Sequence, residues 1–174
     1  MQASTLPSTD QVWDWLGQIP DPEIPVISLT DLGIIRDVAW DDDTLVVTVT
    51  PTYTGCPATS IINLDIERAL RDRGVEKIRL ERKLFPPWTT DWISREGREK
   101  LHDYGIVPPI DGTAADGRLT GRVARLAGRS SLTIACPRCG STQTEKVSQF
   151  GSTPCKASYR CKDCLEPFDY FKCI

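Results

Sequence analysis

Seven cysteines carry most of the chemistry this sequence offers, and six of them lie from Cys136 to Cys173. Four form two C-x-x-C pairs, Cys136-Pro137-Arg138-Cys139 and Cys161-Lys162-Asp163-Cys164, separated by 21 residues. Two intervening residues let both sulfurs of a pair reach one ion. Gly140 permits the tight turn that aims backbone N–H groups at sulfur, and the gap is long enough for a hairpin. This spacing is close to the zinc-ribbon pattern and predicts one closed tetrahedral zinc on Cys136, Cys139, Cys161 and Cys164. Four-thiolate sites also suit iron. Cys155 and Cys173 stay open as core residues, as substitute ligands, or as iron–sulfur ligands together with Cys56.

Cys56 stands apart, in Thr48-Val49-Thr50-Pro51-Thr52-Tyr53-Thr54-Gly55-Cys56-Pro57. An alternating strand runs into this turn and a helix, Pro57 to about Arg73, leaves it. Cys56 then sits at or beside the helix N-cap, with Pro57 at the first helical position. Free N–H groups and the positive dipole end favour thiolate over thiol there. The alternative is a small buried hydrophobe at a helix start. Asp21-Pro22-Glu23-Ile24-Pro25 offers two carboxylates on a turn that two prolines stiffen. They could serve as ligands or acid–base groups; a plain connector with solvated acids is the simpler reading. His102, the single histidine, falls on a charged helix and reads as a surface residue.

These groups need elements to hold them. Val12, Trp15, Leu16 and Ile19 make one apolar helix face after Ser8-Thr9-Asp10. Ile34 to Trp40 and Leu45 to Thr50 read as strands joined by an Asp41-Asp42-Asp43 turn. Ile62, Ile66, Ala69 and Leu70 line the next helix, with Gly74 as its cap. Val75 to Arg82 is a third strand. The β-β-α-β order with a preceding helix predicts an α/β (α+β) unit: a small mixed sheet with helices packed on it. After a Pro- and Trp-rich loop, Thr90 or Asp91 can cap a helix running to about Asp103. The expected organisation is a first domain over 1–107, a Gly- and Pro-rich linker over 108–130, and a C-terminal zinc-ribbon domain over 131–174. The last is too small to fold without its metal.

The chain as a whole sets limits. It has 174 residues, is 40% hydrophobic and 26% charged, and carries net charge −3. That balance argues against a dedicated nucleic-acid or membrane-surface binder. No apolar run approaches the ~20 residues that span a bilayer. The first residues show no basic or apolar leader, and the cysteine usage fits a reducing compartment, so a cytoplasmic location is expected. One histidine cannot supply the Glu-x-x-His pairs of a di-iron oxygenase, and no G-x-G-x-x-G offers a flavin or nicotinamide site.

Asp21-Pro22-Glu23, Asp31-Leu32-Gly33, Thr48-x-Thr50 and Cys56-Pro57 together resemble the SufT-like family of metal–sulfur cluster biosynthesis domains over residues 9 to 107. The tail, with Phe150-Gly-Ser-Thr, Cys155-Lys156 and Phe168-Asp-Tyr-Phe171-Lys-Cys173 around its two cysteine pairs, is similar to the phenylacetate-degradation (PaaD) branch. The resemblance implies maturation of iron or iron–sulfur centres in support of the multicomponent monooxygenase that epoxidises phenylacetyl-CoA. It implies that Cys56 binds and hands over iron or a transient cluster, with Asp21, Glu23 and Thr50 in one supporting pocket. Partners would be the oxygenase components, and a dimer could pair two Cys56 side chains. The rival reading is a non-catalytic subunit of that oxygenase complex.

Overall fold

The structure is a computed structural model that describes residues 6–53, 55–109 and 134–172. Cys173 and residues 110–130 of the expected linker lie outside the described residues. The chain divides into two compact units, one ending at Trp88 and one beginning at Thr89.

The first unit starts with helix α1 (Thr9–Leu16). Ser8 and Gln11 close a capping box there, each side chain taking the other's backbone N–H. Strands β1 (Ile35–Asp41) and β2 (Thr44–Val49) form an antiparallel hairpin. Its turn tolerates Asp42 at φ 54°, a conformation open to aspartate. Helix α2 (Thr59–Arg71) crosses over to β3 (Ile78–Arg82), which lies parallel to β2. The sheet order β1-β2-β3 is therefore the expected mixed sheet, with β2 in the middle. Leu45, Val47 and Val49 of β2 are buried, as are Val12 and Leu16 of α1 and Ile62, Ile66 and Leu70 of α2. This single core fixes both ends of the β2–α2 connection that carries Cys56.

One local expectation shifts. Trp15 is not in the core; it is half-buried, with the Arg73 guanidinium 5.6 Å above its ring. Trp88, in the Pro-rich loop, is buried, and its Nε1–H donates to the Leu32 carbonyl at 2.8 Å.

The second unit opens with a 3-10 turn over Thr90–Trp92 and helix α3 (Arg95–Asp103). The cap of α3 is Ser94, whose Oγ accepts the Gly97 N–H at 2.9 Å. Neither Thr90 nor Asp91 plays that part, because Ile93 is extended and separates the two turns. Strand β4 (Ile106–Val107) pairs with β7 (Pro167–Phe171), and β6 (Lys156–Cys161) lies between β7 and β5 (Thr144–Ser148), giving the order β4-β7-β6-β5. The stretch 89–107 thus belongs with the cysteine-bearing unit, although its sequence reads as a continuation of the first domain. Ile134, Cys136, Cys161, Phe168 and Tyr170 form the core under Tyr159, whose ring stacks on Phe168 at 5.8 Å.

Candidate metal centre and the Cys56 turn

Cys136 and Cys139 come from the turn before β5; Cys161 ends β6 and Cys164 follows in the turn to β7. Hairpin pairing brings the two turns together, because Thr144 lies opposite Cys161. The four Sγ atoms all fall within 4.8 Å of one another. Cys136 and Cys164 are 3.7 Å apart at sulfur, and Cys139 and Cys161 3.6 Å. A tetrahedron with Zn–S bonds of about 2.3 Å has S–S edges of about 3.8 Å, so these separations fit an ion at the centre. Two sulfurs belong to buried residues, Cys136 and Cys161, and two to exposed ones, Cys139 and Cys164. The ligand set is thus anchored in the core on one side and open to solvent on the other.

Both turns are built alike. The Cys136 N–H donates to the Ser141 carbonyl at 2.8 Å, and the Cys161 N–H to the Glu166 carbonyl at 2.9 Å. Gly140 and Leu165, each directly after its pair, take positive φ of 73° and 65°. Backbone N–H groups of Cys164 and Asp163 aimed at Cys161 pull its thiol down to about 7. Cys164 receives an N–H from Glu166 that acts in the same sense, but burial and three neighbouring thiols outweigh it and push it up to about 12. The sulfurs therefore share their protons unequally, and a cation is the natural way to let all four ionise. Cys155 stands outside this group; it is buried, with Sγ 3.0 Å from Thr153 Oγ1.

The first unit holds the other expected residues. Cys56 is half-buried and lies two residues ahead of Ala58, the N-cap of α2. A separate turn closes it: the Cys56 carbonyl accepts the Thr59 N–H at 3.3 Å and Thr59 Oγ1 at 2.9 Å. Pro57 is thus in that turn and not in the first position of the helix. The Cys56 N–H donates to the Tyr53 carbonyl at 3.2 Å. Thr50 is buried directly after β2, with its N–H on the Ile34 carbonyl at 2.9 Å. Asp21 is buried and faces its own turn, Oδ1 accepting the N–H groups of Glu23 at 2.9 Å and Ile24 at 2.8 Å. That is an Asx-type turn, a structural use of the carboxylate that the residue types Asp-Pro-x-x permit. Glu23 is half-buried beside it.

Comparison with known proteins agrees with this two-part construction. Residues 9–79 match the family model of iron–sulfur cluster assembly proteins, and residues 121–172 match the PaaD zinc β-ribbon domain. The chain is 45% identical, over 97% of its length and 94% of the relative's, to an Escherichia coli protein named as a putative subunit of 1,2-phenylacetyl-CoA epoxidase. It is 39% identical over 49% of its length to a Bacillus subtilis Fe-S protein maturation auxiliary factor, covering 85% of that protein. A Porphyromonas gingivalis Fe-S protein maturation auxiliary factor is 32% identical over 58% of this chain and 97% of its own. The chain belongs to the PaaD family: an iron–sulfur cluster assembly domain joined to a zinc β-ribbon. No described helix is long and apolar enough to cross a membrane.

Proposed function

We propose that this chain is a cytoplasmic assembly factor that helps load the iron or iron–sulfur centres of a phenylacetyl-CoA epoxidase, and is not itself the oxygenase. The likeness that carries the proposal is double. Over nearly its whole length the chain resembles a protein named as a component of that epoxidase, and over its first half it resembles two proteins named as maturation factors. In this reading Cys56 is the residue that takes and passes on iron or a transient cluster. Its partial exposure, on a connection fixed at both ends by the core, suits a ligand that must meet a partner. One thiolate makes an incomplete site, and an incomplete site can release what it holds. Asp21, Glu23 and Thr50 would support that pocket, and the other ligands would come from the client or from a second copy in a homodimer.

Zinc on Cys136, Cys139, Cys161 and Cys164 would be structural. It would supply the folding free energy that the small ribbon lacks. Charge disfavours nucleic acid as a partner: the chain carries net charge −3, and residues 131–174 are nearly neutral, with six basic and four acidic side chains before any thiolate is counted. The second reading is a non-catalytic subunit of the epoxidase, favoured by the name of the 45% identical relative. Co-expression with the oxygenase, followed by purification of the oxygenase away from this chain, separates the two. Assembly predicts that the separated oxygenase stays active. Stoichiometric co-purification, with activity lost on removal, would favour the second reading.

A further inference from the structure

The two cysteine turns are alike in their backbone, and the likeness extends to side chains that bind each other. Counting from the first cysteine of each turn, Arg138 and Asp163 occupy the third position, and Ser141 and Glu166 the sixth. Arg138 Nη1 donates to Glu166 Oε2 at 2.5 Å. Ser141 Oγ donates to Asp163 Oδ2. Each turn therefore reaches across to the other from its third position to its sixth, once as an ion pair and once as a hydroxyl–carboxylate hydrogen bond. We infer that these crossed contacts form a reciprocal latch, with Arg138, Glu166, Ser141 and Asp163 as positioning residues that keep the metal from leaving.

The reasoning is geometric. An ion held by two turns escapes when the turns part. Cys139 and Cys164, the exposed ligands, lie directly beside the latch residues and would be first to let go. Opening the site has to break both crossed contacts. An isolated surface pair contributes little to folding, and Arg138 and Glu166 are 70% and 35% exposed. Here both partners stand on ligand-bearing turns whose main chain is held by backbone hydrogen bonds, so the contact ties one turn directly to the other. The effect belongs in the rate of metal release more than in the stability of the fold. A closed ribbon site also leaves the transfer step to a different part of the chain.

The inference rests on the reading that these four cysteines hold zinc, and one experiment separates the two. The full chain and its Arg138→Gln, Glu166→Gln and double variants are purified, their zinc content is measured, and zinc release into excess 4-(2-pyridylazo)resorcinol is timed. Wild-type protein with about one zinc that leaves slowly is expected. Each single variant should release zinc roughly 10-fold faster, the low end of what losing an outer-shell partner does to a metal site. The double variant should be no faster than the quicker single one, because both substitutions break one contact. A purely electrostatic role would give opposite signs: the four-thiolate zinc site is anionic, so losing Arg138 would speed release and losing Glu166 would slow it. Slower or unchanged release from Glu166→Gln overturns the latch, and that variant decides the matter if Arg138→Gln does not fold. Wild-type protein that binds no zinc would instead overturn the zinc reading.

Discussion

Replacing Asp21 with alanine removes one acceptor shared by two backbone donors. Oδ1 takes the Glu23 N–H at 2.9 Å and the Ile24 N–H at 2.8 Å, and the residue is only 6% exposed. A hydrogen bond to a charged group contributes roughly 1.5–3 kcal/mol, and a buried donor left without a partner costs roughly 1–3 kcal/mol. The Ile24 contact is buried and the Glu23 contact partly so. Together they set the expected loss at about 2–4 kcal/mol. At about 4–8 °C per kcal/mol for a domain of this size, the first unit should melt roughly 8–32 °C lower. Asp21→Asn keeps an oxygen in place and should lose about half as much, because charge-assisted hydrogen bonds are about twice as strong as neutral ones. Urea unfolding of the full chain, followed by tryptophan fluorescence, reads this directly. Trp13, Trp15, Trp40 and Trp88 all lie in the first unit. Asp21→Ala unfolding within about 0.5 kcal/mol of wild type would refute the structural use of this carboxylate. A stable Asp21→Asn protein that fails to support the epoxidase would show that the charge itself has a further use.

Trp88→Phe should cost the first unit about 1–3 kcal/mol, because the buried Leu32 carbonyl loses its donor; denaturant titration measures it, and an unchanged midpoint would count against that bond. Gly151→Ala would set a Cβ 2.9 Å from Asp169 Oδ1 and 3.2 Å from Lys156 Cβ. It should destabilise the second unit by about 1–3 kcal/mol, visible as a lower melting temperature of the zinc-loaded protein. Stripping the metal with a strong chelator should abolish amide protection in β5, β6 and β7 while β1, β2 and β3 keep theirs. Hydrogen exchange that leaves both sets protected would mean that the ribbon folds without its ion.

The elements that were legible in the sequence share one property: a pattern tied to a single core. The hairpin over 35–49 and the crossover helix α2 follow from alternation and from the Ile62–Ile66–Leu70 spacing, which local physics is enough to enforce. The four-cysteine cluster followed from spacing alone, since two C-x-x-C turns joined by a hairpin have few other ways to meet. What stayed hidden depends on distant chain. Ile106 and Val107 form a strand only because Asp169 and Tyr170 lie beside them. Trp15 leaves the core for a guanidinium, and Trp88 enters it against a carbonyl, each partner lying far off in sequence. The turn residues put Cys56 at or beside the helix N-cap, but its carbonyl takes the Thr59 hydroxyl in a turn of its own and the N-cap falls two residues on, at Ala58. The crossed pairs between the cysteine turns had a signal in the matching offsets of Arg138 with Asp163 and Ser141 with Glu166, but their pairing needed the hairpin register.

The central claim, that Cys56 hands over iron or a cluster to the epoxidase, is tested most directly by Cys56→Ser in a strain carrying only that form. The change is nearly isosteric and lies outside the ribbon, so the variant should fold and retain its zinc. The measurement is the iron content of the purified oxygenase from that strain, alongside growth on phenylacetate. The account predicts iron-poor oxygenase and failed growth beside an intact, zinc-loaded Cys56→Ser protein. Oxygenase with its normal iron complement and full growth would contradict it, and would leave Cys56 with a packing role alone.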